Sequence, residues 1–233
     1  MTHDIPRAWM VRAAALVALG AALGACSKND SSTGPSQGLM ITADATTNAQ
    51  TAPAGTALAK PVTVHVMDGT GAAIPGSIVT WTPNSHSGTT SAATSTTDAT
   101  GTATVTWTVD TIARTDSMTA SIAGGATAVF TATGTAGAAT SAAKFSGDAQ
   151  TVASGSASAP MIVKVTDVYG NAVAGINVAW IVTGGGTLSA GSTTTDATGE
   201  AQVTLTLGNT PGSYTIQATA AALTAVSFHL TGT

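Results

Sequence analysis

The sequence predicts an all-β protein built from two β-sandwich domains in tandem. Short segments alternate apolar and polar residues with a period of two, which is typical of strands that bury one face. Only 8% of the 233 residues are charged and 26 are glycine, a composition that favours strands joined by turns over layers of helices. The pattern also occurs twice along the chain, which predicts two copies of one domain.

The two copies align at a nearly constant spacing. From this repeat we expect a first domain over residues 38–136, a hinge over residues 137–142 and a second domain over residues 143–233. One residue has been gained or lost within the copies, because matching residues stand 99 positions apart before the loop that follows the tryptophan and 98 apart after it. The matches include Pro61 with Pro160, Asp68 with Asp167, Trp81 with Trp180, Asp98 with Asp196, and Phe130 with Phe228.

Near-identical turns separate the strands in both copies. Asp98 begins an Asp-x-x-Gly turn in the first copy and Asp196 begins its counterpart in the second. The aspartate can accept hydrogen bonds from the backbone amides ahead of it, and the glycine can adopt the left-handed conformation that closes the turn. A second Asp-x-x-Gly turn, at Asp68 and at Asp167, is predicted to use the same chemistry.

About seven short strands are predicted in each copy, and each strand has one apolar face. We interpret the tryptophans on these faces as core residues and not as an aromatic platform for a ligand. The residues predicted to point inward are Val62, Val64, Val66, Val79, Trp81, Ala103, Val105, Trp107 and Val109 in the first copy, and Met161, Val163, Val165, Val178, Trp180, Ala201, Val203, Leu205 and Leu207 in the second.

The N-terminal segment has the features of an export signal. Arg7 and Arg12 precede an apolar run over residues 13–22, which is too short to span a bilayer comfortably. Residues 23–26, Leu-Gly-Ala-Cys, then resemble the lipobox of bacterial lipoproteins. An ordinary secretory signal with an accidental cysteine is the alternative, but the single cysteine of the chain, Cys26, stands where a lipobox requires it.

We therefore predict a signal peptide over residues 1–25 and lipid attachment at Cys26, which would anchor the protein to a membrane. Residues 26–37 comprise this cysteine and a polar stretch rich in serine, glycine and proline, which predicts a flexible tether. Because Cys26 is the single cysteine, no intrachain disulfide can form and each domain must be stabilised by burial alone.

The charge balance argues against nucleic acid as a partner. The chain has 7 basic and 11 acidic residues, a net charge of −4. Removal of residues 1–25 removes Arg7, Arg12 and Asp4, which leaves 5 basic and 10 acidic residues, a net charge of −5. No cluster of basic side chains is present in the sequence to neutralise phosphates.

The repeated motifs resemble those of a known family. In the second copy, Asp167-x-x-Gly170, Val178-x-Trp180 and the Thr-Thr-Asp-x-x-Gly-x-Ala-x-Val motif over residues 194–203 are similar to the bacterial immunoglobulin-like group 1 domains of intimin and invasin. The resemblance covers essentially residues 38–233. It implies two immunoglobulin-like β-sandwiches that form an extracytoplasmic stalk, and it implies no catalysis.

The first copy departs from the family pattern in two places. Residues 83–87 replace the glycine run that the second copy has at residues 184–186. We align Met118 with Tyr214 of the second copy. If Tyr214 forms a tyrosine corner, the first domain is expected to lack one.

No combination of residues predicts a catalytic or metal site. His65 is expected on an outward face and Lys164 is its counterpart, so we interpret it as a surface residue, and His229 likewise. Residues 85–87, Ser-His-Ser, with Asp98 do not by sequence proximity make a catalytic triad. Each Asp-x-x-Gly turn offers one carboxylate, whereas calcium needs several oxygen ligands, so turn capping is favoured over calcium. We expect a protein that is not an enzyme and has no cofactor or metal ion.

The functional hypothesis is a non-catalytic lipoprotein of the cell envelope, on the outer membrane and exposed at the surface. Its domains would act as a stalk, or as an adhesion module that contacts a protein or a glycan. The alternative is a periplasm-facing lipoprotein that scaffolds an envelope complex. Family members that bind host cells usually carry a separate lectin-like tip, whereas this chain stops at Thr233 directly after the last predicted strand. A spacer or interaction role is therefore favoured over adhesion.

Overall fold

A computed structural model describes residues 38–233 of the chain, which consist of strands, turns and loops. Within these residues no helix is long and apolar enough to cross a membrane. The prediction of an all-β fold with two tandem immunoglobulin-like sandwiches is confirmed. The predicted signal peptide, Cys26 and the tether lie outside the described residues and stay predictions.

The first domain contains ten strands, of which eight form two packed sheets and two, β5 and β8, form a separate two-stranded sheet. One sheet has three strands in the order β1-β3-β7, and the other has five in the order β2-β10-β9-β4-β6. Strand β2 runs parallel to β10, whereas the other pairs are antiparallel. The strands are β1 (Met40–Ala43), β2 (Gln50–Pro53), β3 (Val62–Met67), β4 (Ile78–Pro83), β5 (Thr89–Thr90), β6 (Thr94–Thr96), β7 (Thr102–Val105), β8 (Trp107–Thr108), β9 (Thr115–Ile122) and β10 (Thr127–Thr135).

The second domain repeats this topology strand by strand, with sheets β11-β13-β17 and β12-β20-β19-β14-β16. Its first strand begins at Ser141, so two residues of the expected hinge belong to β11. The strands are β11 (Ser141–Ser146), β12 (Gln150–Val152), β13 (Met161–Thr166), β14 (Asn177–Thr183), β15 (Thr187–Leu188), β16 (Ser192–Thr194), β17 (Glu200–Val203), β18 (Leu205–Thr206), β19 (Gly212–Ala220) and β20 (Val226–Gly232).

The strand after each Asp98-type turn is divided, which explains part of the difference from the predicted seven strands. In the first domain β7 pairs with β3, whereas β8 pairs with the short strand β5. Between them, Thr106 N donates to Ser91 Oγ at 3.2 Å, while Ser91 N donates to Thr106 O at 2.9 Å. Ser189 and Thr204 repeat this exchange in the second domain. A serine hydroxyl thus replaces a backbone partner where the chain leaves one sheet for another.

Each domain has its own core, and all residues predicted to point inward are buried. Trp81 packs on Phe130 and Trp180 packs on Phe228, each with ring centroids 6.2 Å apart. The Nε1 of Trp180 donates to Thr193 Oγ1 at 2.8 Å, so the buried indole has a partner for its polar atom. The interpretation of these tryptophans as core residues is confirmed.

We expect Trp180→Ala to lower the free energy of unfolding by about 3–5 kcal/mol, because it leaves a cavity beside Phe228. Equilibrium unfolding in urea measures this loss. Ile181→Ala is the matched control on the same strand, since Ile181 is 61% exposed. We expect that variant to remain within about 0.5 kcal/mol of the parent. Equal losses in the two variants would contradict the inward assignment.

Candidate functional site

The Asp-x-x-Gly turns have the predicted geometry. Asp98 Oδ1 accepts from Thr100 N at 2.8 Å, from Thr102 N at 3.0 Å and from Thr100 Oγ1 at 2.6 Å. Gly101 has a φ of 72°, and a Cβ on it would lie 2.5 Å from the carbonyl oxygen of Val66, so glycine is required there. Asp68 and Asp196 cap their turns with the same pattern of bonds.

These bonds favour the ionised carboxylate. The hydroxyl of Thr100, followed by the backbone amides of Thr102 and Thr100, lowers the pKa of Asp98 below its ordinary value. The corresponding threonine hydroxyls have the same effect on the pKa of Asp68 and Asp196. One carboxylate oxygen in each turn is occupied by protein donors, which fits capping as predicted.

Asp167 uses the same turn for a second purpose. Its Oδ1 caps the turn by accepting from the backbone amides of Tyr169 and Asn171, both at 2.9 Å. Its Oδ2 accepts from Gly137 N in the interdomain segment and from Asn171 Nδ2, again both at 2.9 Å. Asp167 is buried, whereas its counterpart Asp68 is partly exposed. Burial alone would raise the pKa of Asp167, but the hydrogen bonds from Asn171, Gly137 and Tyr169 outweigh it and leave the pKa below its ordinary value.

Asn171 connects the two domains directly. Its Oδ1 accepts from Ala113 N at 2.8 Å, and its Nδ2 donates to Thr111 O at 2.8 Å. Both partners belong to the loop between β8 and β9 of the first domain. The same Nδ2 donates to Asp167, so one amide group bridges a backbone loop of the first domain and the capping aspartate of the second. We call these residues the interdomain joint: Thr111, Ala113, Gly137, Asp167 and Asn171.

An aromatic contact flanks the joint. The ring of Tyr169 lies against Gly55, where an added Cβ would be 2.6 Å from the tyrosine Oη. Gly55 also has a φ of 73°. A cleft of about 310 Å³ beside this contact is lined mainly by apolar residues, among them Pro53, Ala54 and Val168. Gly55 is favoured by its own backbone conformation, and a side chain there would displace the ring of Tyr169.

The joint cannot be repeated at the corresponding positions of the two copies. The counterpart of Asn171 in the first domain is Ala72, which has no amide side chain. The counterpart of Ala113 in the second domain is Pro211, which has no N–H to donate. The residues of the joint are therefore specific to this pair of domains in this order.

Strand pairing corrects one alignment made from the sequence. Asp116, and not Met118, stands where the second domain has Tyr214, so the earlier alignment of Met118 was wrong. The tyrosine corner itself is confirmed, because Tyr214 Oη donates to Thr210 O at 2.9 Å, and the first domain has no tyrosine there. The pairs that fix the alignment are Met118 with Phe130, Asp116 with Ala132, Ile216 with Phe228, and Tyr214 with Leu230.

Residues considered for catalysis do not converge. His86 and Asp98 lie beyond opposite ends of β4, because β6, whose Thr96 pairs with Ile78, leads into Asp98, whereas His86 follows Pro83. His65 is partly exposed, with Nδ1 3.2 Å from Thr102 Oγ1 and Nε2 3.7 Å from Asp44 Oδ2. Among residues 38–233, no three side chains of His, Cys, Asp or Glu are grouped so that they could hold a metal ion.

His229 is exposed on β20, as predicted, and its ring contacts a threonine hydroxyl on the neighbouring strand. Asn171, Ala113 and Asp116 were not predicted from the sequence to be functional residues. A signal for Asn171 and Asp116 was present in the sequence, because each differs in chemistry from its counterpart in the other copy.

Comparisons with known proteins give a family for the second domain. A model of the family described as bacterial Ig-like domain (group 1) matches residues 142–231. No curated protein matches the sequence of the chain.

Two solved structures are similar to this chain. The D00-D0 domain of intimin is 17% identical, with 82% of this chain and 98% of that chain covered and a TM-score of 0.41. Yersinia pseudotuberculosis InvD is 20% identical, with 84% of this chain and 57% of that chain covered and a TM-score of 0.49.

We expect Asn171→Ala to loosen the joint while both domains stay folded, because it removes the three hydrogen bonds of the amide side chain. Spin labels at Thr94→Cys and Ser192→Cys, both exposed positions in the Cys26→Ser background, report the interdomain distance. The distance distribution should broaden in the variant. Ala72→Asn, the counterpart change away from the joint, should leave it unchanged. A parental distribution in Asn171→Ala would show that these bonds do not set the domain orientation.

The lowered aspartate pKa values predict acid sensitivity. An unfolded aspartate titrates near pH ~3.9, whereas the capping carboxylates Asp68, Asp98, Asp167 and Asp196 titrate lower in the folded chain. Below about pH 4 the unfolded state therefore binds more protons than the folded state. The contribution of these carboxylates to the free energy of unfolding, which is constant at higher pH, is then lost as the pH falls. Urea unfolding at pH 7, 5 and 3 measures this. Asp98→Asn should lose less between pH 5 and 3 than the parent, and an equal loss would exclude this cap as a contributor.

Proposed function

We propose that this chain, whose residues 142–231 match the bacterial Ig-like domain (group 1) family, is a lipid-anchored, non-catalytic spacer of the bacterial cell envelope. In this proposal Cys26 is acylated after removal of residues 1–25, and residues 27–37 tether the two domains to the outer membrane. The pair of domains holds its far end away from the membrane at the cell surface, where a protein or a glycan is contacted.

The interdomain joint is the observation that carries the proposal. A spacer must keep its two ends at a fixed relation, and hydrogen bonds from Asn171 tie the first domain's loop to the second domain's turn. The bond from Gly137 to Asp167 also fixes the connecting segment. A chain whose domains acted independently would need none of these contacts.

Part of the outer face of the first domain's five-stranded sheet supports the same function. Thr80 and Thr82 point outward on β4, and their neighbours on β9 are Ser121 and Thr119. These side chains carry no charge and form a hydroxyl-rich surface. Such a face resists nonspecific electrostatic association with polyanions. Specific contacts would then be made by loops or by neutral surfaces, which suits a protein or glycan partner.

The test is fractionation and protease treatment of cells that express the parent chain or Cys26→Ser. We expect the parent in the membrane fraction, because acyl chains on Cys26 anchor it, and the variant outside that fraction. Retention of Cys26→Ser in the membranes would contradict lipid anchoring through this residue.

Protease added to intact cells then tests exposure at the surface. The second domain of the parent should be lost without lysis, while a periplasmic marker survives as the control. Protection of the second domain until the outer membrane is opened would contradict a surface spacer. That result would instead favour a scaffold that faces the periplasm.

A further inference from the structure

We propose that Asp116 is a positioning residue for the interdomain joint. Its buried carboxylate acts together with Asp110 and Arg114 to hold the loop between β8 and β9 in the shape that Asn171 binds. This role goes beyond the spacer function, because it places the control of the domain orientation inside the first domain. It does not depend on whether the protein faces the medium or the periplasm.

The environment of Asp116 is unusual for a carboxylate. The side chain is fully buried on β9, and its Oδ2 accepts from Asp110 N at 2.7 Å. Among residues 38–233 no group donates a hydrogen bond to its Oδ1, and the guanidinium Nε of Arg114 lies 3.7 Å from that oxygen. A buried charge is costly unless it is paired. An apolar residue at this position would avoid the cost of burying a charge. The presence of a carboxylate there therefore indicates a role in holding the loop.

Asp110 is fixed at every polar group that it offers. Its backbone oxygen accepts from Gly55 N at 2.8 Å. Its carboxylate accepts from Thr111 N at 2.7 Å and from Arg114 Nη2 at 2.6 Å. Arg114 in turn is held by its own backbone oxygen, which accepts from Gly134 N at 2.7 Å. The loop is therefore fixed near its start, at Asp110, and at its last residue, Arg114.

The groups that bind the second domain lie between these fastened ends. Thr111 O and Ala113 N face the amide of Asn171, each at 2.8 Å. An amide side chain engages a donor and an acceptor together only if the two backbone groups keep their spacing and direction. Because Asp116 and Arg114 fix the ends of the loop, they fix this spacing as well.

The second domain shows what happens without this arrangement. Its residue at the same position, Tyr214, donates to the carbonyl oxygen of Thr210. The counterpart of Asp110 there is Gly208, which has no carboxylate. Donor and acceptor are thus exchanged between the domains. In the first domain the side chain accepts from a backbone N–H of the loop, and in the second domain it donates to a backbone carbonyl of the loop. The carboxylate is found in the first domain, whose loop binds Asn171.

The experiment uses the Cys26→Ser chain with spin labels at Thr94→Cys and Ser192→Cys. We expect Asp116→Ala, which removes the acceptor for Asp110 N, to broaden the interdomain distance distribution to the width found for Asn171→Ala. The double variant should be no broader than either single variant, because both changes act on one joint. The amide of Ala113 should also exchange its hydrogen faster in Asp116→Ala. A folded Asp116→Ala chain with the parental width would overturn the proposal.

Two further variants separate positioning from loss of stability. Asp98→Ala removes a turn cap of the same domain without touching the loop, so it should lower stability and keep the parental width. If Asp116→Ala does not fold, Asp116→Tyr replaces it, since the second domain packs tyrosine on the equivalent strand. Broadening in Asp116→Tyr supports the role, and the parental width overturns it. These distances are measured on purified protein, so they are independent of where the protein resides in the cell.

Discussion

The turns of both sandwiches depend on one interaction, the acceptance of two backbone amides by a single aspartate oxygen. A chain of short strands must reverse often, and each reversal leaves N–H groups that no neighbouring strand can bind. At Asp98 the amides two and four residues ahead are both bound. The glycine that ends the turn then allows the next strand to pair at once. Because the chain has no disulfide within its domains, this local satisfaction of polar groups accompanies core burial as the main source of order.

The joint between the domains is a modification of the same turn. In three of the four Asp-x-x-Gly turns a threonine hydroxyl supplements the cap, as Thr70 does for Asp68. At Asp167 this threonine is replaced by Tyr169, whose ring packs on Gly55 of the first domain. The second carboxylate oxygen then binds Asn171 and the interdomain segment. A feature that closes a hairpin elsewhere in the chain thus becomes, through two substitutions, a contact between domains.

The sequence was sufficient for the parts of the structure that are governed by local rules. Alternation of apolar residues such as Val62 and Val64 predicted the core, and the aspartate and glycine spacing predicted the turns. The division of the strand at Thr106 was not predictable, because the alternation of side chains continues through it while the hydrogen-bond partner changes. The joint was missed for a related reason: Asn171 lies at a turn position that tolerates many residues, and its partners are backbone atoms of a loop 58 and 60 residues away.

The misplaced alignment of Met118 shows how a repeat is best interpreted. The constant spacing of 98 residues in this part of the repeat assigns Asp116, and not Met118, to the position of Tyr214. Strand pairing shows that the dissimilar residues do occupy the same place, each fastening its loop by a hydrogen bond of opposite polarity. At this position the two domains share a backbone location, but the first domain has an acceptor where the second has a donor, and the attached loops make different contacts. In this chain the changed loop is the one that meets the neighbouring domain.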